Sequence, residues 1–168
     1  MTPLPPAAPG SVLTAWRLER AAYQKTWARG DGAFKVGGRW SAPGRRVIYT
    51  SLDPATTILE VAVHKGFNAL DIVPHALLRI DVVQACAFVV SAKSIPNAHW
   101  LLPGAVSVNQ QRFGGDLLDK HAAILVPSAV SRHSWNLVID VVAARGMFKL
   151  VRKEVFALDT RLTAGARP

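Results

Sequence analysis

The mostly apolar residues 13–18, with polar Thr14 and Arg17 among them, read as a strand, whose period of two sets Trp16 and Arg17 on opposite faces. A second short apolar run, residues 46–51, ends in Tyr49-Thr50-Ser51 and predicts another strand. Between the two, Gly30, Gly32, Gly37, Gly38 and Gly44 crowd an interval that reads as a structured loop over residues 30–44. The period then becomes helical. Asp53 can accept a hydrogen bond from a first turn and Pro54 needs no donor there, so a helix is expected from Pro54 to about Lys65, stopped by Gly66. Within it Ala55, Ile58, Leu59 and Ala62 form the expected core stripe, with Thr56, Glu60 and His64 roughly opposite. Residues 77–83 and 87–91 read as strands, and residues 95–104, with Pro96, Asn97 and Pro103, as a loop. Residues 109–120 are weakly helical and interrupted by Gly114-Gly115. Three further strands are expected: residues 122–126, ending at Pro127-Ser128, then 135–142, then 154–158. Strands and helices without a regular repeat predict a single α+β domain with no second domain.

Composition narrows the setting. Half of the 168 residues are hydrophobic, enough for a core without disulfides. The only cysteine, Cys86, lies in an apolar run and reads as a small buried hydrophobe, which favours a reducing, cytoplasmic setting. Residues 1–10, rich in proline and alanine, are expected to be a disordered tail and not a secretory signal; the domain then spans residues 11–163 and a short tail covers 164–168. No apolar run reaches the roughly 18 residues that cross a bilayer, so a soluble protein is expected. The net charge of +9 suits an anionic dinucleotide or an acidic protein partner. Its basic residues are scattered, with short clusters at Arg45-Arg46 and Arg152-Lys153 and no nucleic-acid recognition motif, so direct nucleic-acid binding is not expected as the main role. A non-catalytic basic module binding nucleic acid or protein is the alternative from another functional class. His64, His75, His99, His121 and His133 show no metal-ligand spacing with one another or with Cys86, and no metal is expected.

The motifs gain meaning from their order. Trp16-Arg17 is followed by Asp31-Gly32-Ala33, Gly37-Gly38-Arg39-Trp40, the strand ending in Tyr49-Thr50-Ser51, and Thr57-Ile58-Leu59-Glu60-Val61. Gly115-Asp116-Leu117-Leu118 then precedes a strand ending in Val126-Pro127-Ser128, and Phe156, Asp159, Arg161 and Leu162 close the set. In this order and spacing the chain resembles the RES-domain family, the toxins of RES–Xre toxin–antitoxin pairs, which consume NAD and are related in fold to ADP-ribosyltransferases. The resemblance implies an ADP-ribosyltransferase-like mixed β core with flanking helices, NAD as substrate with no prosthetic group, and cleavage of the nicotinamide–ribose bond by water or phosphate. A protein side chain as acceptor, giving a protein ADP-ribosyltransferase, is the alternative. An Xre-type antitoxin that blocks the NAD cleft within a hetero-oligomer is the implied partner. The chain departs from the family in having Ser41 where asparagine usually follows Gly-Gly-Arg-Trp, and in keeping only Asn136 of an Asn-x-Leu-x-Asn-Pro-x-His run.

The resemblance assigns catalysis to Arg17, Glu60, Tyr49 and Ser128, and NAD binding to Arg17, Gly38, Arg39, Tyr49, Ser51 and Asn136. Arg17 offers a planar fork for phosphate or ribose oxygens; its plain alternative is a strand arginine paired with Glu19. Glu60 would stabilise the oxocarbenium that forms as nicotinamide leaves; otherwise it is a solvated helix residue near His64. Tyr49 could stack on nicotinamide or ribose, or be a core tyrosine with its hydroxyl satisfied. Ser128 lacks a nucleophile elbow and reads as a donor to ribose or phosphate, or as part of a turn. Gly37-Gly38-Arg39 could bring backbone N–H groups to a pyrophosphate, although neither a Walker loop nor a Rossmann fingerprint is present. Tyr23 and Trp27 are weaker candidates.

Overall fold

The computed structural model describes residues 1–102 and 104–162. Among these described residues there are seven strands: β1 (Val12–Arg20), β2 (Val47–Ser51), β3 (His75–Val83), β4 (Ala87–Val89), β5 (Ala123–Pro127), β6 (Trp135–Asp140) and β7 (Phe148–Phe156). Four helices flank them: α1 (Asp31–Val36), α2 (Pro54–Lys65), α3 (Phe67–Ile72) and α4 (Val108–Leu118). The strands form one mixed sheet in the order β4-β5-β6-β2-β1-β3-β7, in which only β4 and β5 run parallel. This is an α+β fold.

The junction between β1 and β2 positions the site. β1 pairs with β3 over its whole length, from Val12↔Val83 to Arg20↔His75, but meets β2 at one registered pair, Trp16↔Ser51. Beyond that pair, side chains replace the missing ladder bonds. Thr57 Oγ1 donates to the Trp16 carbonyl at 2.9 Å, and Arg17 Nη1 donates to the Tyr49 carbonyl at 2.9 Å. Buried backbone carbonyls need partners, so the sheet can part here without leaving orphaned groups.

A central core joins strands on both sides of this junction: Leu13, Ala15, Ile80 and Val82 with Ile48, Leu125, Leu137 and Ile139. Trp40, Val47, Leu118, Val126 and Val138 form a second core against α4, and Leu18, Ala62 and Leu70 a third beneath α2 and α3. The helix signals act as expected at α2. Asp53 accepts from Thr56 N–H at 2.7 Å, a cap worth about 1 kcal/mol, and Gly66 ends the helix at φ 77°.

Several expectations are corrected. The glycine-rich interval 30–44 contains α1, because its glycines bracket the helix: Gly30 and Gly37 take φ of 66° and 72° at the two ends. On α2 the buried positions include Thr56 and Thr57, while Ala55 is exposed; the Thr57 hydroxyl is satisfied by β1, which lets a polar residue face the sheet. α4 continues through Gly114-Gly115, since a Cβ at Gly114 would lie 2.2 Å from the Trp40 carbonyl oxygen and only glycine lets the backbones approach. α3 went unpredicted because six residues show too little periodicity. β7 begins six residues before the expected start at Glu154, and much of it is exposed, so no one-sided apolar alternation reveals it. Within residues 1–10, expected to be a disordered tail, Thr2 and Leu4 contact the domain. Thr2 donates to the His133 carbonyl through N–H and Oγ1, Trp135 Nε1 donates to the Thr2 carbonyl, and Leu4 packs on the central core. The expected tail at 164–168 lies outside the described residues. Among the described residues, no helix is long and apolar enough to cross a membrane.

Candidate functional site

Three strand ends and one helix build a polar knot. Tyr49 and Ser51 of β2 lie opposite Val138 and Asn136 of β6, so Ser51 and Asn136 share the sheet face that carries Tyr49. Ser128 directly follows β5, and Glu60 projects from the middle of α2. The Glu60 carboxylate accepts from Ser128 Oγ at 2.8 Å and from Asn136 Nδ2, and both donors reach the same oxygen, Oε1. Asn136 Oδ1 in turn accepts from Ser51 Oγ at 2.8 Å, and Ser51 is buried.

Valence fixes each role in this knot. Ser128 Oγ accepts from the backbone N–H groups of Val130 at 3.2 Å and Ser131 at 3.0 Å, so its single proton goes to Glu60. A carboxylate without a proton can only accept, so the Asn136 atom facing it is the amide nitrogen. Glu60 Oε2 bonds to no group among the described residues and remains accessible to solvent. One oxygen is clamped and the other is free. A carboxylate held this way has little reorganisation left when it meets developing positive charge.

The glycine loop beside it is tied down just as firmly. Tyr49 OH accepts from Trp40 N–H at 3.1 Å and lies 2.9 Å from the buried Ser41 Oγ. Burial pushes the Tyr49 phenol above its ordinary range against the lowering effect of those hydrogen bonds and of Arg39. A Cβ at Gly38 would lie 2.5 Å from that hydroxyl, so glycine is required for the ring to pack there. Gln111 Nε2 holds the Gly38 carbonyl at 2.9 Å. Arg39 donates to the carbonyls of Trp100 at 3.1 Å and Leu102 at 3.3 Å, which fastens the segment around residues 98–102 to the glycine loop. A cavity of about 260 Å³ opens between that segment and Ser128, walled by Leu101, Leu102, Pro127 and Arg132. A larger depression of about 390 Å³, between Pro43-Gly44-Arg45 and α4, contains none of the predicted site residues.

Arg17 is gripped by Glu19, two residues along the same face of β1. Nε and Nη2 both meet Glu19 Oε2, at 3.0 and 2.5 Å, while Glu19 Oε1 accepts from Arg20 N–H. Arg17 keeps further donors on Nη1 and Nη2. Lys65, at the C-terminal end of α2, has its pKa lowered by burial and by Arg20 and Arg17, with Glu19 opposing, which groups these charges around the end of β1.

The structure thus brings Ser51, Glu60, Ser128 and Asn136 into direct contact and joins Gly38 to Tyr49. Arg17 reaches the backbone of Tyr49, and Arg39 turns to the residue 98–102 segment. Tyr23 is exposed, and Trp27 packs edge-on to Phe148 at 5.8 Å, away from the knot. Among the described residues no cluster of His, Cys, Asp and Glu could hold a metal. Gln111 was missed by sequence reasoning, as a helix glutamine carries no mark of the loop it will hold.

A profile of the RES domain matches residues 14–161. The chain belongs to the RES-domain family. A protein named Toxin Res from Pseudomonas putida is 31% identical over 155 residues, which cover 89% of this chain and 99% of the relative. Another Toxin Res, from Photorhabdus laumondii, is 28% identical over 154 residues, covering 89% and 97%. Among solved structures, the Mycobacterium tuberculosis MbcT–MbcA toxin–antitoxin complex contains a similar chain, with a TM-score of 0.69 and 19% identity over 88% of this chain and 86% of the other. That likeness establishes the fold shared by this RES domain.

Proposed function

We propose that this RES-domain protein is the toxin of a toxin–antitoxin pair, and that it binds NAD and breaks its nicotinamide–ribose bond. The observation that carries the reading is Glu60, whose Oε1 takes both internal hydrogen bonds while Oε2 stays free. The two relatives named as toxins, and the toxin–antitoxin complex that contains the structural neighbour, support the biological role and a protein antitoxin as partner, which we take to be of Xre type.

The chemistry asks little more of the protein than this. As the C–N bond breaks, nicotinamide leaves with the bonding pair and becomes neutral, so it needs no acid. Positive charge moves to the ribose C1′ and its ring oxygen. Glu60 Oε2 is the anion positioned to stabilise that charge. Attack by water then gives ADP-ribose and a proton, and attack by inorganic phosphate gives ADP-ribose 1″-phosphate. The remaining donors of Arg17 bind phosphate or ribose oxygens, and Arg39 contributes to the cationic field over the glycine loop.

Incubation of the purified protein with NAD, with and without phosphate, followed by mass analysis of the products tests this directly. Free nicotinamide with ADP-ribose or its phosphate ester is expected. Label retained on protein would redirect the reading to a protein acceptor, and no release of nicotinamide would overturn it. Glu60→Gln should lower turnover by at least about a hundredfold, because glutamine can still accept at Oε1 but presents a neutral amide where the anion stood. Near-normal turnover by that variant would remove Glu60 from the mechanism.

A further inference from the structure

Asn136 was expected to bind NAD, and both ends of its amide already have a protein partner. Nδ2 meets Glu60 Oε1, and Oδ1 accepts from Ser51 Oγ at 2.8 Å. The chain that leads to the free carboxylate oxygen therefore runs Ser51, Asn136, Glu60. We propose that Asn136 is a positioning residue, held in its working orientation by Ser51, and that it sets how Glu60 is presented without touching the substrate. The proposal rests on the reading of Glu60 as the carboxylate that faces the substrate.

Three observations carry it. An asparagine amide flipped by half a turn would set its carbonyl oxygen against the carboxylate, oxygen against oxygen. That repulsion disfavours the flip, and Ser51 supports the working orientation by donating to Oδ1 from a position only 2% exposed, where water does not readily take its place. Secondly, Ser51 and Asn136 are direct register partners on β2 and β6, so the clamp is built on the sheet, and its geometry is fixed by the ladder itself. Thirdly, Ser128 delivers its proton to the same Oε1 from the other side. Two donors on one oxygen fix the plane of the carboxylate and leave Oε2 as its only open acceptor, which matters because a misplacement of about 1 Å can cost roughly a hundredfold in rate.

The arrangement predicts a set of effects, of which a kcat loss at constant KM and a non-additive double variant would not come from a residue whose role is to bind NAD. In Asn136→Asp, two carboxylates meet at Oε1 and share a proton, so the acid limb of the kcat/KM profile moves to higher pH. In Ser51→Ala the amide loses its anchor, and kcat should fall by roughly tenfold or more while KM for NAD stays within about twofold. Because Ser51 acts through Asn136, adding Ser51→Ala to an Asn136→Ala background should cost almost nothing further.

The experiment combines steady-state kinetics with NMR titration of the Glu60 side-chain carboxyl carbon in the wild-type chain and in the Asn136→Asp, Ser51→Ala, Asn136→Ala and double variants. The proposal expects the Glu60 resonance to titrate at higher pH in Asn136→Asp, together with a loss in kcat at nearly constant KM and a non-additive double variant. A raised KM with unchanged kcat in Asn136→Ala would make Asn136 a substrate ligand and overturn the proposal, as would strictly additive losses or an unmoved Glu60 titration. The NMR readout needs no turnover. A wild-type protein that leaves NAD intact while Glu60 still responds to Asn136→Asp would therefore reject NAD cleavage and keep the clamp.

Discussion

Arg17 illustrates how one residue can serve the fold and, in the proposed function, the chemistry together. Its guanidinium ties β1 to the Tyr49 carbonyl where the two strands part, and Glu19 holds its Nε edge. Lysine at this position would keep the charge but could not reach both partners with a planar fork. Arg17→Lys is therefore expected to lose at least about tenfold in kcat/KM for NAD, most of it through KM, together with a lower melting temperature. Unchanged kinetics and stability would reduce Arg17 to a surface ion pair. His75 makes a second residue-level case. It is buried, its Nδ1 lies against the Val73 carbonyl and must donate to it, and Nε2 has no partner among the described residues. Burial, followed in weight by the effects of the Val73 carbonyl and of Lys65 and Arg20, leaves its pKa below the ordinary histidine value. The unfolded chain then binds the proton more readily than the folded one. Stability should fall as pH drops below about 6.5, the ordinary histidine value, and level off once pH passes below the folded pKa. His75→Leu should flatten that part of the stability curve in denaturant titrations between pH 5 and pH 7, roughly the interval in which histidine titrates. An unaltered slope would assign the acid sensitivity elsewhere.

At the level of elements, α4 depends on one missing methyl group. Gly114 presses against the Trp40 carbonyl, and Trp40 is the large buried residue that anchors the glycine loop to α4. Glycine normally weakens a helix, so its value here must lie in the close approach. Gly114→Ala would gain helix propensity and still destabilise the protein by about 1–3 kcal/mol, because backbone has to move to admit the Cβ. Gly115→Ala, where a Cβ meets nothing within 4 Å, is the control and should be neutral or stabilising. Comparable midpoints for the two variants in urea would disprove the packing argument. The same pair of glycines shows what was legible in the sequence. Elements with local chemistry, such as the Asp53-Pro54 helix start and the mostly apolar β1, could be read directly. α4 looked broken, because the reason for its glycines lies some 74 positions away at Trp40. Similarly the motifs marked Glu60, Ser128 and Asn136 as site residues one by one, but the bonds among them depend on β2, β5 and β6 lying side by side. β7 stayed partly hidden because an exposed edge strand carries no one-sided apolar pattern.

For the whole molecule, the proposed activity makes a shared cofactor the target. In the proposed function the net charge of +9 favours approach to an anionic dinucleotide and to an acidic partner, and the clamped carboxylate is the reactive end of the site. Expressing the chain alone in a bacterium is expected to arrest growth and deplete NAD before protein synthesis declines, because the substrate is drawn from a common pool. Glu60→Gln, expressed to the same level, should do neither. Co-expression of the cognate Xre-type antitoxin should restore both growth and the NAD pool by covering the site. Following NAD by mass spectrometry beside a growth curve separates the possibilities. Arrest with an undiminished NAD pool would point to modification of a specific protein, and arrest that persists in Glu60→Gln would mean that toxicity does not pass through this carboxylate. Absence of any arrest from soluble wild-type protein would favour a non-catalytic binding module, despite the knot of Ser51, Glu60, Ser128 and Asn136 at its centre.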